Sequence, residues 1–315
     1  MIIKLKKPVI QGANNCTLII DKCTILFPSK TGDEHSGVLA TAINAEKAGL
    51  LKQTKIRVRQ YTRKFFIPQF EEYGKVLFFT RPKFPSQAPF GVEFNPNRLG
   101  KEKTNELLGF IYQHFFFGDW KEFAEQATLS RADVSIDILG LDIRKAFFSA
   151  PGAKTSQSYH GIGNRKQSEI YNFPGNKRLT IYDKAAERRE RAKKDKSIVV
   201  ADIPEAWTRA ETNLRKCGKL RNLKSLKNPL LDFSIAQRTK PEGVDQDFWK
   251  MLCLAADNTC FEHVLGMINS SALRNKIKKH QAAHPVNGWD ANKLWEQWPG
   301  AVKNSGLIDF LANLE

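Results

Sequence analysis

Three short segments carry side chains that together suit the transfer of a phosphoryl group: RADVSIDI (residues 131–138), RLTIYDK (178–184) and WTRAETNLR (207–215). Each alternates apolar and polar residues, as a strand does when one face packs and the other presents polar groups. In the first, Ala132, Val134, Ile136 and Ile138 oppose Asp133, Ser135 and Asp137. In the second, Leu179 and Ile181 oppose Arg178, Thr180, Tyr182 and Lys184. In the third, Ala210, Thr212 and Leu214 oppose Arg209, Glu211 and Asn213. If the three strands are neighbours, one face gathers Asp133, Asp137, Glu211, Tyr182, Lys184 and Arg209. Carboxylate oxygens are natural ligands for Mg²⁺ or Mn²⁺. Cations offset charge on a phosphate in transit, and a tyrosine oxygen attacks phosphorus to leave a covalent ester. A solvated antiparallel face with cross-strand ion pairs gives the same pattern, and sequence alone does not make these strands adjacent.

The charge balance points to a polyanionic partner. Lys and Arg number 50 against 33 Asp and Glu, a net +17, and each phosphate neutralised releases condensed counterions. Residues 151–240 hold 21 Lys/Arg against 9 Asp/Glu, so a net +12 surrounds the second and third segments. Within it, GIGNRKQS supplies glycine amides, a Ser hydroxyl, Arg165 and Lys166, and RRERAKKDK carries Arg188, Arg189, Lys193 and Lys194. Together with Arg178 these are the expected DNA-phosphate contacts, the plainer alternative being a solvated helix and loop. Charge alone would also suit RNA or an anionic membrane surface.

The five cysteines, Cys16, Cys23, Cys217, Cys253 and Cys260, are odd in number and dispersed, as in a reducing compartment. No apolar run approaches the ~20 residues of a membrane span, and no signal peptide is evident. A cytoplasmic protein is expected.

The elements that must position the polar face fall into a repeated order. Strands are expected at 16–27, 55–61, 76–80 and 91–94, then a helix over 101–126. A second set is expected near 131–139, 157–162, 178–184 and 207–214. The first strand of each set carries an Asp (Asp21, Asp137), and the last carries Glu followed by Asn (Glu93 in GVEFNPNRL, Glu211 in RAETNLRK). The aromatic cluster over 110–120 fits a core better than a base-stacking platform. After residue 218 the pattern turns helical, over 245–267 and 272–281. The expected fold is α+β: two related antiparallel β-sheet units with packed helices (1–128 and 129–235), then a small helical C-terminal domain (236–315).

The order RADVSID, SYHGIGNRKQSEIY, LTIYDKAAE, WTRAETNLRK resembles the trans-acting Rep family of rolling-circle plasmid initiators and the related replication proteins of filamentous phages. The likeness covers 131–216 well, 16–100 loosely, and says little of 220–315. It implies a site-specific nuclease that nicks and rejoins one strand of an origin, single-stranded or cruciform, through a 5′-phosphotyrosine. Tyr182 matches the family's nucleophile, Asp137 and Glu211 its acidic metal positions, and Lys184 and Arg209 its basic ones. Mg²⁺ or Mn²⁺, a host helicase and polymerase, and a homodimer are likewise implied by the resemblance. Ala210 departs from the aromatic residue many relatives carry between Arg and Glu. The glycine segment is slightly longer than usual, which leaves Tyr159 and Tyr171 open as second or alternative nucleophiles. A non-catalytic DNA-binding replication or repressor protein is the rival.

Overall fold

Residues 16–27 alternate buried and half-buried side chains and form the first strand, β1 (Cys16–Phe27). The computed structural model describes residues 16–28, 34–56, 58, 60–161, 166–195 and 198–309. The chain divides into two units. An N-terminal unit holds Ile19–Val134, Leu214–Lys227 and the residues from Trp298 onward. A central unit holds Ser135–Asn213, Asn228–Gln297 and the start of β1.

In the N-terminal unit, β1 is followed by α1 (Glu34–Lys47), β2 (Lys52–Gln53), β3 (Tyr61–Phe66), β4 (Leu77–Pro82) and β5 (Phe90–Phe94). α2 (Pro96–Phe115) and α3 (Trp120–Gln126) come next. The single helix expected over 101–126 is therefore two, because Asp119 caps a fresh start by accepting from the Glu122 N–H. The expected strand over 55–61 is also displaced. Tyr61 begins β3, while Arg57 and Arg59 lie outside the described residues. Strand order is β2-β3-β4-β5-β1, with neighbours antiparallel. Phenylalanines fill the core: Phe27 stacks on Phe90 (5.0 Å) and Phe123 (4.5 Å), and Phe78 lies against Phe115 (4.3 Å). Each such burial stabilises by roughly 1.5–3 kcal/mol. Gly91 is needed in β5, since a Cβ there would meet Phe79 and Leu26 within 2.6 Å.

The central unit repeats the connectivity. β6 (Thr128–Leu139), β7 (Ala146–Ser149), β8 (Thr155–His160), β9 (Lys166–Asn172) and β10 (Arg178–Asp183) are followed by α4 (Lys184–Lys194) and β11 (Trp207–Lys219). Its sheet order is β8-β9-β10-β11-β6. Numbered within each unit's sheet, both read 2-3-4-5-1, which is the expected duplication expressed as topology.

The later helices belong to these units. β12 (Ser234–Gln237) pairs with β7 in a separate ribbon. α5 (Gln246–Asn258), α6 (Phe261–Met267) and α7 (Ser271–Ala283) pack on it, with Phe147 of β7 in one buried cluster with Trp249, Leu252, Phe261 and Ile277. α8 (Ala291–Trp295) ends the central unit's share. α9 (Trp298–Ser305) joins the N-terminal unit, where the Trp298 indole donates to the Leu223 carbonyl (2.9 Å). Among the described residues no helix is long and apolar enough to cross a membrane.

Candidate active site

The site is built where β10 runs into α4 beside β11. β10 and β11 pair antiparallel, with Tyr182 opposite Arg209, Thr180 opposite Glu211 and Arg178 opposite Asn213. Directly opposed residues share a face with Cβ atoms about 5 Å apart. One face therefore presents Tyr182, Thr180, Arg209 and Glu211, while Leu179, Ile181, Ala210 and Thr212 are buried on the other. β9 extends the same row, with Ser168 opposite Tyr182 and Ile170 opposite Thr180.

Arg209 is fixed from behind. Its Nε and Nη2 donate to the two Asp137 carboxylate oxygens at 2.6 and 2.7 Å. The Trp207 indole donates to the same carboxylate at 2.9 Å. The pair is almost fully buried, with side-chain exposures of 5% and 8%. Two parallel bonds set the plane of the guanidinium as well as its position. Trp207, two residues before Arg209 and on the same side of the strand, was legible from the alternation but passes for an ordinary apolar residue.

Lys184 is the first residue of α4 and not, as expected, the end of a strand. The chain turns there because Asp183 caps the helix, its carboxylate accepting from the Ala186 N–H (2.8 Å). The turn sets the Lys184 ammonium 5.5 Å from the centre of the Tyr182 ring and pairs it with Glu187 (2.7 Å). Partial burial pushes the Glu187 carboxyl up, but Lys184, then Arg191 and Arg188, outweigh it and hold the group below its ordinary value.

The three tyrosines separate cleanly. Tyr171 points into the core, its hydroxyl donating to the Phe148 carbonyl (3.0 Å) and to Glu169. Burial and then the Glu169 charge push its pKa well above the ordinary value, so it is neither accessible nor easily ionised. Tyr159 is 48% exposed and sits opposite Ser168, in the same cross-strand row as Tyr182. Two strand spacings separate them, roughly 10 Å. Replacing Tyr171 by Phe is expected to cost roughly 1–3 kcal/mol of stability in chemical denaturation, because the Phe148 carbonyl and the buried Glu169 both lose its hydroxyl.

The remaining expected contacts scatter. Lys166 is not a surface cation. It is 4% exposed, paired with Glu169 and donating to the Ala256 and Thr259 carbonyls near the end of α5, so burial overturns its assignment as a DNA contact. The Arg189 guanidinium donates to the Pro204 and Glu205 carbonyls (3.0 and 3.1 Å) and pins the approach to β11. Arg178, Lys193 and Lys194 are exposed, and Arg188 is half-buried. Arg165 lies outside the described residues.

The three-carboxylate metal set is not assembled. Asp133 belongs to the N-terminal unit, where Arg131 grips both its oxygens. Among the described residues no three His, Cys, Asp or Glu side chains converge on a point where an ion would sit. A hydrated ion shared with a substrate phosphate needs only one or two carboxylates, and the oxygens of Glu211 and Asp137 have the right chemistry for that.

No protein-family model matches the chain, and no curated protein is similar to it. Among solved structures it is similar to a rolling circle replication initiator protein from Geobacillus stearothermophilus. The match has 11% identity and a TM-score of 0.39, and it covers 78% of this chain and 98% of that one.

Proposed function

We propose that this protein initiates rolling-circle DNA replication, nicking and rejoining one strand at an origin with Tyr182 as the nucleophile. The observation that carries the proposal is the pairing of Tyr182 with Arg209 across β10 and β11, with Arg209 locked by Asp137. A half-buried phenol on a strand face with two cations supports this reading, because that chemistry suits a phosphodiester. Tyr182 Oη bonds to phosphorus as the bond from phosphorus to the 3′ oxygen breaks. The phenolic proton goes to solvent, and the 3′ oxygen takes one up. The products are a 5′-phosphotyrosyl ester and a 3′-OH end for a polymerase to extend. Attack by a 3′-OH on the ester reverses the step and releases Tyr182. Arg209, and Lys184 beside the ring, stabilise the charge gathering on the phosphate. When bound, Mg²⁺ or Mn²⁺ held by Glu211 and Asp137 would add Lewis-acid stabilisation of the same oxygens.

Origin DNA in single-stranded or cruciform form is the proposed substrate, and Arg178, Arg188, Lys193 and Lys194 are its proposed backbone contacts. A host helicase, a host polymerase and a second copy of the chain are the proposed partners. A non-catalytic DNA binder is favoured by one observation, that Asp137 already accepts three hydrogen bonds within the fold.

The two part on one assay. The full chain is incubated with Mn²⁺ and a pool of single-stranded and hairpin oligonucleotides, and SDS-resistant adduct is collected. The expected result is an adduct whose modified peptide contains Tyr182 and which is absent when EDTA replaces Mn²⁺. Adduct that persists in EDTA removes the ion from the chemistry. Tight, salt-sensitive binding with no adduct, on a sequence the protein demonstrably holds, decides for the binder.

A further inference from the structure

We propose that the turn between β4 and β5 is a separate contact for single-stranded DNA, with Phe84 as a platform on which one base stacks. The inference rests on nucleic acid being the partner, and is independent of the chemistry at Tyr182. Phe84 is 61% exposed, in a unit whose other phenylalanines largely fill its core.

The ring is presented on a stiff frame. The Phe84 carbonyl accepts from the Gln87 N–H (3.1 Å), closing a turn with Pro85 in its second position, where the fixed φ of proline suits it. On the other side, the Lys83 N–H donates to the Gln60 carbonyl (2.9 Å), and the Thr62 hydroxyl donates to the Arg81 carbonyl (3.0 Å). Arg81 itself has a φ of 57°, a left-handed conformation that a residue with a Cβ adopts only where its surroundings enforce it. Arg81 and Lys83 are both exposed, so two cations precede the ring along the turn.

An exposed aromatic face with cations beside it is the arrangement that binds unpaired strands, stacking a base while the cations follow the backbone. Duplex DNA keeps its base faces stacked on each other and offers no such partner. Because the turn is already ordered, binding loses little conformational freedom. Replication by strand displacement supplies the unpaired DNA this surface fits.

The test measures binding, not cleavage. Fluorescence anisotropy of the full chain with labelled oligo(dT) and with a blunt-ended two-strand duplex is compared for wild type and Phe84→Ala. The expected result is a roughly tenfold weaker hold on oligo(dT), an unchanged hold on the duplex and an unchanged melting temperature. Phe84→Trp should restore affinity. Arg81→Ala and Lys83→Ala should each lower the salt slope on single strands by about 0.7. Equal affinity of Phe84→Ala and wild type for oligo(dT), or an equal loss on the duplex, overturns the inference. If Phe84→Ala instead dissociates a dimer in sedimentation while oligo(dT) binding is unchanged, the ring serves contact between copies and the inference falls. If wild type binds neither oligonucleotide, nucleic acid is the wrong partner and the proposed function falls with it.

Discussion

Tyr182→Phe should form no SDS-resistant DNA adduct under conditions where wild type does, while its affinity for the same oligonucleotide changes by less than about twofold. The substitution removes one oxygen and leaves the ring, so the Lys184 ammonium keeps its aromatic neighbour and the strand keeps its register. With no oxygen the covalent ester cannot form, and the loss is complete in kind. Anisotropy supplies the binding measurement and peptide mapping the site. Tyr159 makes the experiment discriminating, because it is exposed and lies in the same row across β8, β9 and β10. Adduct on Tyr159 in wild type would keep the activity and move its centre by two strands. An undiminished adduct at another residue in Tyr182→Phe would show that Tyr182 was never the nucleophile.

Period-two alternation made much of this face legible, and it failed where tertiary context decided. RADVSID, LTIYD and TRAETN each fold as strands with the predicted faces, because an amphipathic strand is a local property. The repeated topology was visible through Asp21 with Glu93 and Asp137 with Glu211, which stand on corresponding strands; Asn95, just past β5, donates to Asp21 (3.1 Å). Asp133 shares a strand face with Asp137, yet four residues of strand part them by about 13 Å and Arg131 holds both Asp133 oxygens, so parity alone does not bring the two carboxylates to one ion. Lys166 looked like a phosphate contact because its segment is glycine-rich and basic. Nothing in that segment shows that its ammonium meets carbonyls of a helix ninety residues later. Alternation alone carries the strand on to Lys184, but Asp183 caps a helix there and capping overrides it.

Arg209 is where structure and chemistry pull on one residue, and three substitutions separate them. Arg209→Met leaves the Asp137 carboxylate buried with its bidentate partner gone. Breaking such a pair from one side costs about 3–5 kcal/mol, most of it the uncompensated charge. The expected result is a markedly lower midpoint in chemical denaturation. Joining it with Asp137→Leu should restore much of that loss, because no lone charge then remains. Restored stability without restored adduct is the expected result, because the paired variant lacks both the Arg209 cation and the Asp137 carboxylate proposed for the ion; only the Arg209 substitutions that keep Asp137 bear on the arginine alone. Arg209→Lys completes the case. It keeps the positive charge and loses the planar fork, so it retains one bond to Asp137 and cannot fix an orientation. Adduct formation per folded molecule should fall by about 10²–10³, the effect of misplacing a preorganised donor at a reacting phosphate, with binding affinity changed far less. If Arg209→Lys nicks at the wild-type rate, the buried pair is architectural. Charge on the phosphate would then have to be met by Lys184, whose own partner Glu187 stays ionised to lower pH than an ordinary glutamate.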